Sequence, residues 1–435
     1  MLTAAVLLSR EAGGITLNVN STASIRDASA MLAYDLMSYY QNNQSSTAVT
    51  AIGTLPAPLY WWEAGAVWGG MIDYWAYTND TSYVHTVQQA LLAQVGPKDD
   101  YMMPAYYPSL GNDDQTFWAI AALSAAEYGF HAPSGSSSTV WLDFRKRSST
   151  RNSLGFFQIA ARLAHYTGNE TYVTWAEKTW DWMSAVGLIN QNYNVYDGTD
   201  DTLNCSKLDH TMWSYNPSML LYGTAMLYNF TNGSQIWEKI TTGLLESCAN
   251  TFFSPSSNAT SIMCEPSCEP TGTCDVDQLS FKAYTSRWMA KASIVAPYIA
   301  GSVSVLLTRS AEAAAQACSG GASGSMCGVK WYVGGFDGVT GVGQELSALE
   351  TVQALLLLRD GGVDAARRYP LTSEDVHVSV ASNPTSTFSM PSKTSAIKSA
   401  TGTSSLSSES WRLRSSMNIP AQLMLGFGTG AWLAR

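Results

Sequence analysis

Residues 116–128 read Thr-Phe-Trp-Ala-Ile-Ala-Ala-Leu-Ser-Ala-Ala-Glu-Tyr, and this stretch is the clearest indicator of the fold. Every residue from Phe117 to Leu123 is apolar, so a helix here must be buried on all sides. Residues 170–185, by contrast, combine a polar face with an apolar stripe at helical spacing. The chain therefore alternates fully buried helices with amphipathic ones.

An internal repeat extends this alternation. The segment Tyr-Thr-Asn-Asp-Thr-Ser-Tyr-Val at 77–84 recurs as Tyr-Thr-Gly-Asn-Glu-Thr-Tyr-Val at 166–173, with a looser copy at 228–237. In each copy an apolar helix ends, a Gly/Asn turn follows, and an aromatic residue opens the next helix. Short turns favour an all-α toroid of helical hairpins over a solenoid, which stays the alternative.

We expect helices at 27–40, 61–77, 116–128, 154–166, 170–185, 210–228 and 235–250, and one weak strand at 329–333.

Composition narrows the functional class. Lys and Arg number 24 against 34 Asp and Glu, a net charge of −10 that argues against nucleic acid as a partner. The sequence has no apolar run of about 18 residues, which excludes a polytopic membrane protein. The 15 Trp and 22 Tyr exceed the 12 Phe, and aromatic rings with a polar edge suit a sugar-binding cleft as well as a core.

Cysteines and glycosylation signals indicate a secretory protein. Of the seven cysteines, Cys268–Cys274 and Cys318–Cys327 would close tight loops and Cys248–Cys264 is a third candidate pair, which leaves Cys205 over. Reduced cysteines in a cytosolic enzyme are the alternative. Asn-x-Ser/Thr sequences occur at Asn20, Asn43, Asn79, Asn169, Asn204, Asn229, Asn232 and Asn258.

The two ends of the chain differ from its centre. Residues 1–20 form an N-terminal segment that resembles a truncated signal region, because a short apolar run lacks a preceding basic residue. Residues 21–362 form the helical domain. Residues 363–416 are a Ser/Thr-rich stalk that we expect to be disordered. The weakly apolar tail, 417–435, has the order of a glycosylphosphatidylinositol (GPI) attachment signal, and an ordinary C-terminus is the alternative.

The pair Asp113–Asp114, directly before the buried helix, is the strongest candidate for catalysis. Asp at a helix start ordinarily caps the helix, which is the alternative interpretation. Only one side chain can act as the cap, however, and the other carboxylate would face the interior of the ring. Adjacent Cα atoms about 3.8 Å apart allow carboxyl groups about 5 Å apart, the separation in a retaining glycosidase. Like charges at that distance favour one ionised nucleophile and one protonated acid.

Other polar and aromatic residues fit a sugar site around this pair. Core packing is the alternative for Trp62, a turn for Asp197, and a surface salt pair for Asp277 and Lys282. The spacing of the carboxylates requires no cation, so we expect no metal or cofactor. The candidate substrate-binding residues are Trp62, Glu63, Asn112, Asp197, Tyr215, Asn216, Asp277 and Lys282.

Seven collinear motifs between residues 16 and 360 carry a specific resemblance. They are Tyr60-Trp-Trp-Glu-Ala-Gly-Ala-Val-Trp68, Ser109-Leu-Gly-Asn-Asp-Asp-Gln115, Tyr196-Asp-Gly-Thr-Asp-Asp-Thr202, Trp213-Ser-Tyr-Asn216, Cys274-Asp-Val-Asp-Gln278, Phe281-Lys-Ala-Tyr284 and Met326-Cys-Gly-Val-Lys-Trp331. Together they resemble glycoside hydrolase family 76, and most closely its fungal cell-wall branch of mannan endo-1,6-α-mannosidases.

The resemblance implies an (α/α)6 barrel and retaining action on α-1,6-linked mannose. It assigns Asp113 as the nucleophile and Asp114 as the general acid/base, and it places Asp197, Tyr215 and Asn216 near the mannose subsite. Fungal members are thought to cut the mannose core of a glycolipid-anchored protein and to transfer the protein onto wall glucan. A Ser/Thr stalk and an anchor signal would fit that role.

One segment departs from the family. Between Tyr128 and Leu154, family members carry a longer stretch with a helix, a Cys and a Gly-rich loop, whereas residues 131–151 here are short, polar and basic. The resemblance therefore implies a lost partner for Cys205 and a barrel that lacks one helix. Either the gene model lacks a piece or the protein is a degenerate member.

We therefore expect a retaining endo-α-1,6-mannosidase or transglycosylase of fungal cell-wall biogenesis, acting on wall mannan or the GPI-anchor glycan, with wall glucan as an acceptor. The alternative is a catalytically impaired mannan-binding wall protein. A third reading is a toroidal enzyme for another polysaccharide. We expect a monomer at the plasma membrane or in the cell wall, attached to the membrane only through a lipid anchor.

Overall fold

Helices dominate the structure, a computed structural model that describes residues 14–111, 113–133, 140–141, 153–256 and 258–359. The α-helices in these ranges are Thr22–Met37 (α1), Trp61–Thr78 (α2), Val84–Ala93 (α3), Asp114–Glu127 (α4), Ser153–Thr167 (α5), Glu170–Ala185 (α6), Tyr215–Phe230 (α7), Gln235–Phe252 (α8), Phe281–Val295 (α9), Ala300–Ala317 (α10) and Val342–Leu358 (α11). Two antiparallel hairpins pair Gly198–Thr199 (β1) with Leu208–Asp209 (β2), and Cys318–Gly320 (β3) with Met326–Cys327 (β4).

The helices form a closed inner ring with an outer layer. Each inner helix packs against the next in the order α2, α4, α5, α7, α9, α11, and α11 packs back against α2. The outer helices α1, α3, α6, α8 and α10 cover the ring and return the chain to its starting end. All inner helices therefore run in one direction, and their N-terminal ends meet at one face. This architecture confirms the predicted (α/α) barrel.

The described part of the chain has six inner helices and five outer ones. The remaining outer position lies between α4 and α5, in the segment 131–151 that the sequence predicts to be shortened, and residues 140–141 within it are helical. The structure describes this segment only at 131–133 and 140–141. Most of that prediction therefore lies outside the described residues.

Burial explains why the two kinds of helix alternate. Every residue of α4 from Gln115 to Glu127 is buried, as the apolar run from Phe117 predicts. In α6 only Ala176 and Met183 are fully buried, so one side of that helix faces solvent. An inner helix must be apolar all round because helices surround it, whereas an outer helix needs only a stripe.

Buried ion pairs cross the interior of the ring. Lys291 Nζ lies 2.8 Å from Asp73 Oδ1, and Arg287 Nη2 lies 2.5 Å from Glu350 Oε1. Asp73 and Lys291 occupy the later halves of α2 and α9, away from the N-terminal face. These cations are thus neutralised inside the ring, since a buried charge requires a partner.

Two disulfides confirm the predicted short loops, Cys268–Cys274 and Cys318–Cys327. The third candidate pair is wrong for this structure, because Cys248 and Cys264 are buried free thiols. The backbone N–H of Cys264 donates to the carbonyl of Phe252 at 2.8 Å, but the sulfurs of Cys248 and Cys264 are not bonded.

Several element boundaries differ from the predictions. The helix predicted at 210–228 begins five residues later, because residues 210–214 belong to the connection after β2. The weak strand predicted at 329–333 is wrong: Trp331–Val333 is a short 3₁₀ turn. All described residues belong to one compact unit.

The terminal predictions stay predictions. Residues 1–13 of the N-terminal segment, the stalk at 363–416 and the tail at 417–435 lie outside the described residues. Among the helices that the structure does describe, none is both long and apolar enough to span a membrane.

Candidate active site

The predicted site residues converge at the face where the inner helices begin. Trp62 and Glu63 lie in the first turn of α2, Asp114 opens α4, and Asn216 lies in the first turn of α7. Asp277 precedes the 3₁₀ turn that leads into α9. The N-terminal end of a helix carries a partial positive charge, so this face favours carboxylates. Asn112 lies outside the described residues.

Asp113 and Asp114 lie side by side at the start of α4, and both are half-buried. Asp113 is in the N-cap position, but its side chain makes no capping hydrogen bond. Asp114 Oδ2 accepts the backbone N–H of Gly111 at 2.9 Å. A Cβ placed on Gly111 would lie 3.0 Å from Asp113 Oδ1 and 3.1 Å from Asp114 Oδ1, which puts those two oxygens no more than about 6 Å apart. This spacing fits the close carboxyl pair of double displacement.

Burial raises the pKa of both carboxyl groups, and the charge of Asp113 adds to the rise at Asp114. Burial raises the pKa of Asp113 above its ordinary value. The pKa of Asp114 is raised to about 7, first by burial and then by the charge of Asp113, against the opposing hydrogen bond from Gly111. A pKa of about 7 leaves Asp114 partly protonated near neutral pH, as a general acid requires.

Asp197 lies beside β1, where its backbone N–H donates to Thr211 at 2.9 Å. Its Oδ1 accepts the side-chain amide of Asn216 at 3.3 Å, and the Trp213 side chain also donates to it. Burial raises the pKa of Asp197 to about 6, and the charges of Asp209 and Asp113 add to the effect. Asp197 is thus held toward the catalytic pair.

Glu63 and Asp277 face the pair from the α2 and α9 sides. Glu63 Oε2 accepts the backbone N–H of Tyr60 at 2.6 Å, and its Oε1 is buried without a hydrogen bond. Burial raises the pKa of Glu63 to about 8, with contributions from Asp277 and Asp114. Burial raises the pKa of Asp277 to about 7, with contributions from other carboxylates, while a hydrogen bond from Trp62 opposes the rise. Glu63 is therefore mostly protonated at neutral pH and Asp277 partly so, and a protonated carboxyl group can donate a hydrogen bond.

Aromatic rings form the floor under these carboxyl groups. The Trp62 ring packs 4.5 Å from Phe117 and 6.0 Å from Tyr284, measured between centroids. Tyr215 packs 4.5 Å from Phe281. Trp62 therefore packs in the core, as its alternative interpretation states, and it also holds Asp277.

Lys282 does not reach the site. Its side chain is buried, and its ammonium lies 2.7 Å from Glu269 Oε1, bonds to the carbonyl of Val329 and sits over the Trp331 ring. The structure assigns it to the core, which contradicts its selection as a substrate-binding residue. The alternative interpretation, a surface salt pair with Asp277, is also wrong, because the partner of Lys282 is the buried Glu269.

Five carboxyl groups share the site, those of Glu63, Asp113, Asp114, Asp197 and Asp277. In the described part of the chain, no three His, Cys, Asp or Glu side chains are close enough together to hold a metal ion. The arrangement is suited instead to acid–base and nucleophilic chemistry by carboxyl groups.

Two contributors were missed by sequence reasoning. Gly111 leaves the space in which the Asp113 and Asp114 carboxyl groups lie, and its place within the Gly-Asn-Asp-Asp motif was the available signal. Glu265 bonds to Ser214 beside the site, and the sequence marks it only by its neighbours Cys264 and Cys268. A contact across 51 residues leaves no trace in local spacing.

Comparisons with known proteins identify the family of this chain. The sequence model of glycosyl hydrolase family 76 matches residues 24–148 and 143–366, two pieces that meet inside the shortened segment. Mannan endo-1,6-alpha-mannosidase DCW1 of Saccharomyces cerevisiae is 37% identical, over 79% of this chain and 81% of its own length.

Solved structures show the same fold. Dfg5 of Chaetomium thermophilum, in complex with glucosamine, superposes with a TM-score of 0.72 at 34% identity, covering 82% of this chain and 94% of its own. An alpha-1,6-mannanase of Salegentibacter, in complex with alpha-1,6-mannotriose, superposes with a TM-score of 0.58 at 14% identity, covering 77% of this chain and all of its own. The chain belongs to glycosyl hydrolase family 76.

Proposed function

We propose that this protein is a retaining endo-α-1,6-mannosidase or transglycosylase, with Asp113 as the nucleophile and Asp114 as the general acid/base. The observation that carries the proposal is the placement of both carboxyl oxygens about 3 Å from one point beside Gly111. The substrate class follows the name of the DCW1 relative at 37% identity.

The first half of the reaction breaks the glycosidic bond. The Asp113 carboxylate attacks C1 of the mannose and forms a glycosyl ester, while Asp114 gives its proton to the leaving glycosidic oxygen. The raised pKa of Asp114, about 7, keeps that proton available near neutral pH. Asp114 is then an ionised carboxylate beside an uncharged ester, so the repulsion within the pair disappears.

The second half resolves the ester. Asp114 takes a proton from a water molecule or a sugar hydroxyl, whose oxygen attacks C1 and releases the Asp113 carboxylate. Water as the acceptor gives hydrolysis, and a sugar hydroxyl gives transglycosylation. Protonated Glu63 and Asp277 are placed to donate hydrogen bonds to sugar oxygens, and Asp197 is placed to accept from sugar hydroxyls.

We further propose that the protein acts at the cell surface, on wall mannan or on the glycan of a GPI anchor, with wall glucan as an acceptor. The two disulfides support passage through an oxidising compartment. Attachment through a GPI anchor rests on the order of the stalk and tail in the sequence alone.

Product analysis with α-1,6-mannotriose tests the activity. The unsubstituted protein should release shorter saccharides with retained anomeric configuration, and longer products would reveal transfer. Asp113→Asn and Asp114→Asn should each reduce the rate by orders of magnitude while saccharide binding survives. Asp181→Asn, on the exposed side of α6, is the matched control. Binding without turnover in all four proteins would favour the catalytically impaired alternative.

A further inference from the structure

Glu265 is a buried carboxyl group that the proposed catalytic steps do not use. It lies in the connection between α8 and α9, and its exposed fraction is 0%. A carboxylate so far from water is costly unless specific donors satisfy it. Its partners therefore indicate what the group does.

The main partner of Glu265 is Ser214, the residue directly before α7. The backbone N–H of Ser214 donates to both Glu265 oxygens, at 3.3 and 3.2 Å, and its hydroxyl bonds to Oε1. The Thr285 hydroxyl donates to Ser214 Oγ at 2.8 Å. A serine in the N-cap position ordinarily caps its own helix, but Ser214 makes no such bond. Its polar groups are committed to Glu265 and Thr285 instead.

Ser214 leads directly into the substrate-facing turn. Asn216, two residues later, is fully buried, and its side-chain amide reaches Asp197 Oδ1 at 3.3 Å. That length is near the upper limit of a hydrogen bond, so a small shift of the turn would break the contact. The position of Ser214 thus controls whether Asn216 holds Asp197.

The loop that carries Glu265 is itself held firmly. The backbone N–H of Glu265 donates to Glu269 Oε1 at 3.0 Å, and Glu269 also pairs with Lys282. The Cys268–Cys274 disulfide closes the same loop. Glu265 can therefore act as a fixed reference for the start of α7.

We propose that Glu265 is a positioning residue of the cleft, which fixes Ser214 so that Asn216 holds Asp197 toward the saccharide. This role rests on the proposed function, because it assigns Asp197 a contact with the sugar. Glu265 lies behind the turn that presents Asn216, so it acts through the turn and has no contact with substrate.

A double-mutant cycle tests this role. Glu265→Ala should lower kcat/KM for α-1,6-mannotriose about tenfold or more in the otherwise unsubstituted protein, since misplacing a substrate contact is costly. In an Asp197→Ala background the same change should matter less than twofold, because nothing remains to be positioned. Equal factors in the two backgrounds, or no effect in either, would overturn the proposal.

Further variants separate the effect of Glu265 on the position of Asp197 from its effect on protein stability. Glu265→Gln keeps an acceptor for the Ser214 N–H and should restore most of the activity lost in Glu265→Ala. Glu127→Ala removes an equally buried carboxylate, bonded to Arg162, and should lower the Tm while changing kcat/KM equally in both backgrounds. If Glu265→Ala does not fold, Ser214→Ala takes its place, and its effect should likewise vanish with Asp197→Ala.

The positioning role of Glu265 and the proposed enzymatic activity can fail independently of each other. Turnover of α-1,6-mannotriose by the unsubstituted protein tests the function. If the unsubstituted protein binds the trisaccharide without turnover, the same cycle is measured as Kd. A loss of affinity that depends on Asp197 would then support the positioning role, and an independent loss would overturn it.

Discussion

Replacing Gly111 with alanine would probe the catalytic pair without removing either carboxylate. The new Cβ would lie 3.0 Å from Asp113 Oδ1 and 3.1 Å from Asp114 Oδ1, where ordinary contact begins at 3.4 Å, so the oxygens must move by about 0.3 to 0.4 Å. Gly111 does not have a left-handed backbone conformation, so alanine is not strained there. The substitution therefore acts mainly on the two carboxylates.

The displacement sets the expected magnitude. A misplacement of about 1 Å at a reacting centre costs about 10²-fold in rate, so about a third of that distance should cost about fivefold in kcat. The added methyl group also displaces water, which should raise the pKa of Asp114 further above about 7. The high-pH limb of the rate profile should therefore move upward in the variant.

The assay is the pH dependence of kcat with α-1,6-mannotriose, with the Tm measured beside it. Gly198→Ala is the matched control: it adds the same methyl group one residue after Asp197, where nothing lies within 4 Å of the new Cβ. An unchanged kcat and pH profile in a folded Gly111→Ala protein would refute the placement of these carboxylates at the reacting centre.

Three further predictions follow from the buried groups. The unsubstituted protein should lose kcat as the pH rises through about 7, because Asp114 must be protonated to act as the acid; a rate that stays level to pH 9 would contradict this. Lys282→Met should lower the free energy of unfolding by about 3–5 kcal/mol in a denaturant titration, because it leaves Glu269 buried without its cation, and a change below about 1 kcal/mol would show that the pair is not buried in solution. The raised pKa of Glu63 means that its contribution to stability is complete below its unfolded value and is lost as the pH rises through about 8; Glu63→Gln should therefore flatten the fall of Tm between pH 5 and 9, and an unchanged slope would count against it.

The fold was largely readable from local pattern. The all-apolar run from Phe117 requires a helix enclosed by others, and the repeated turn signals at 77–84 and 166–173 mark helical hairpins. The helices after Ser280 were not located; in α9 the buried charged residues Lys282, Arg287 and Lys291 interrupt the apolar pattern. The start of α7 was misplaced because Trp213 and its neighbours are apolar enough to continue a helical stripe.

The site was only partly readable. Adjacent carboxylates before a buried helix identify Asp113 and Asp114, since capping needs one side chain at most. Lys282 was misassigned because proximity in sequence to Asp277 says nothing about which side of a helix faces the cleft. Its ammonium points instead to Glu269, thirteen residues earlier.

Sequence by itself determined the class of fold, the two disulfide-closed loops and the choice of Asp113 and Asp114 as the candidate catalytic pair, because each follows from residues that are neighbours along the chain. The sequence also selected Glu63, Asp197 and Asp277 as neighbours of that pair, but only the tertiary structure shows which side chains hold them. Asn216 reaches Asp197 across 19 residues, and Ser214 reaches Glu265 across 51. Such contacts depend on closure of the helical ring, which brings the N-terminal ends of distant helices to one face.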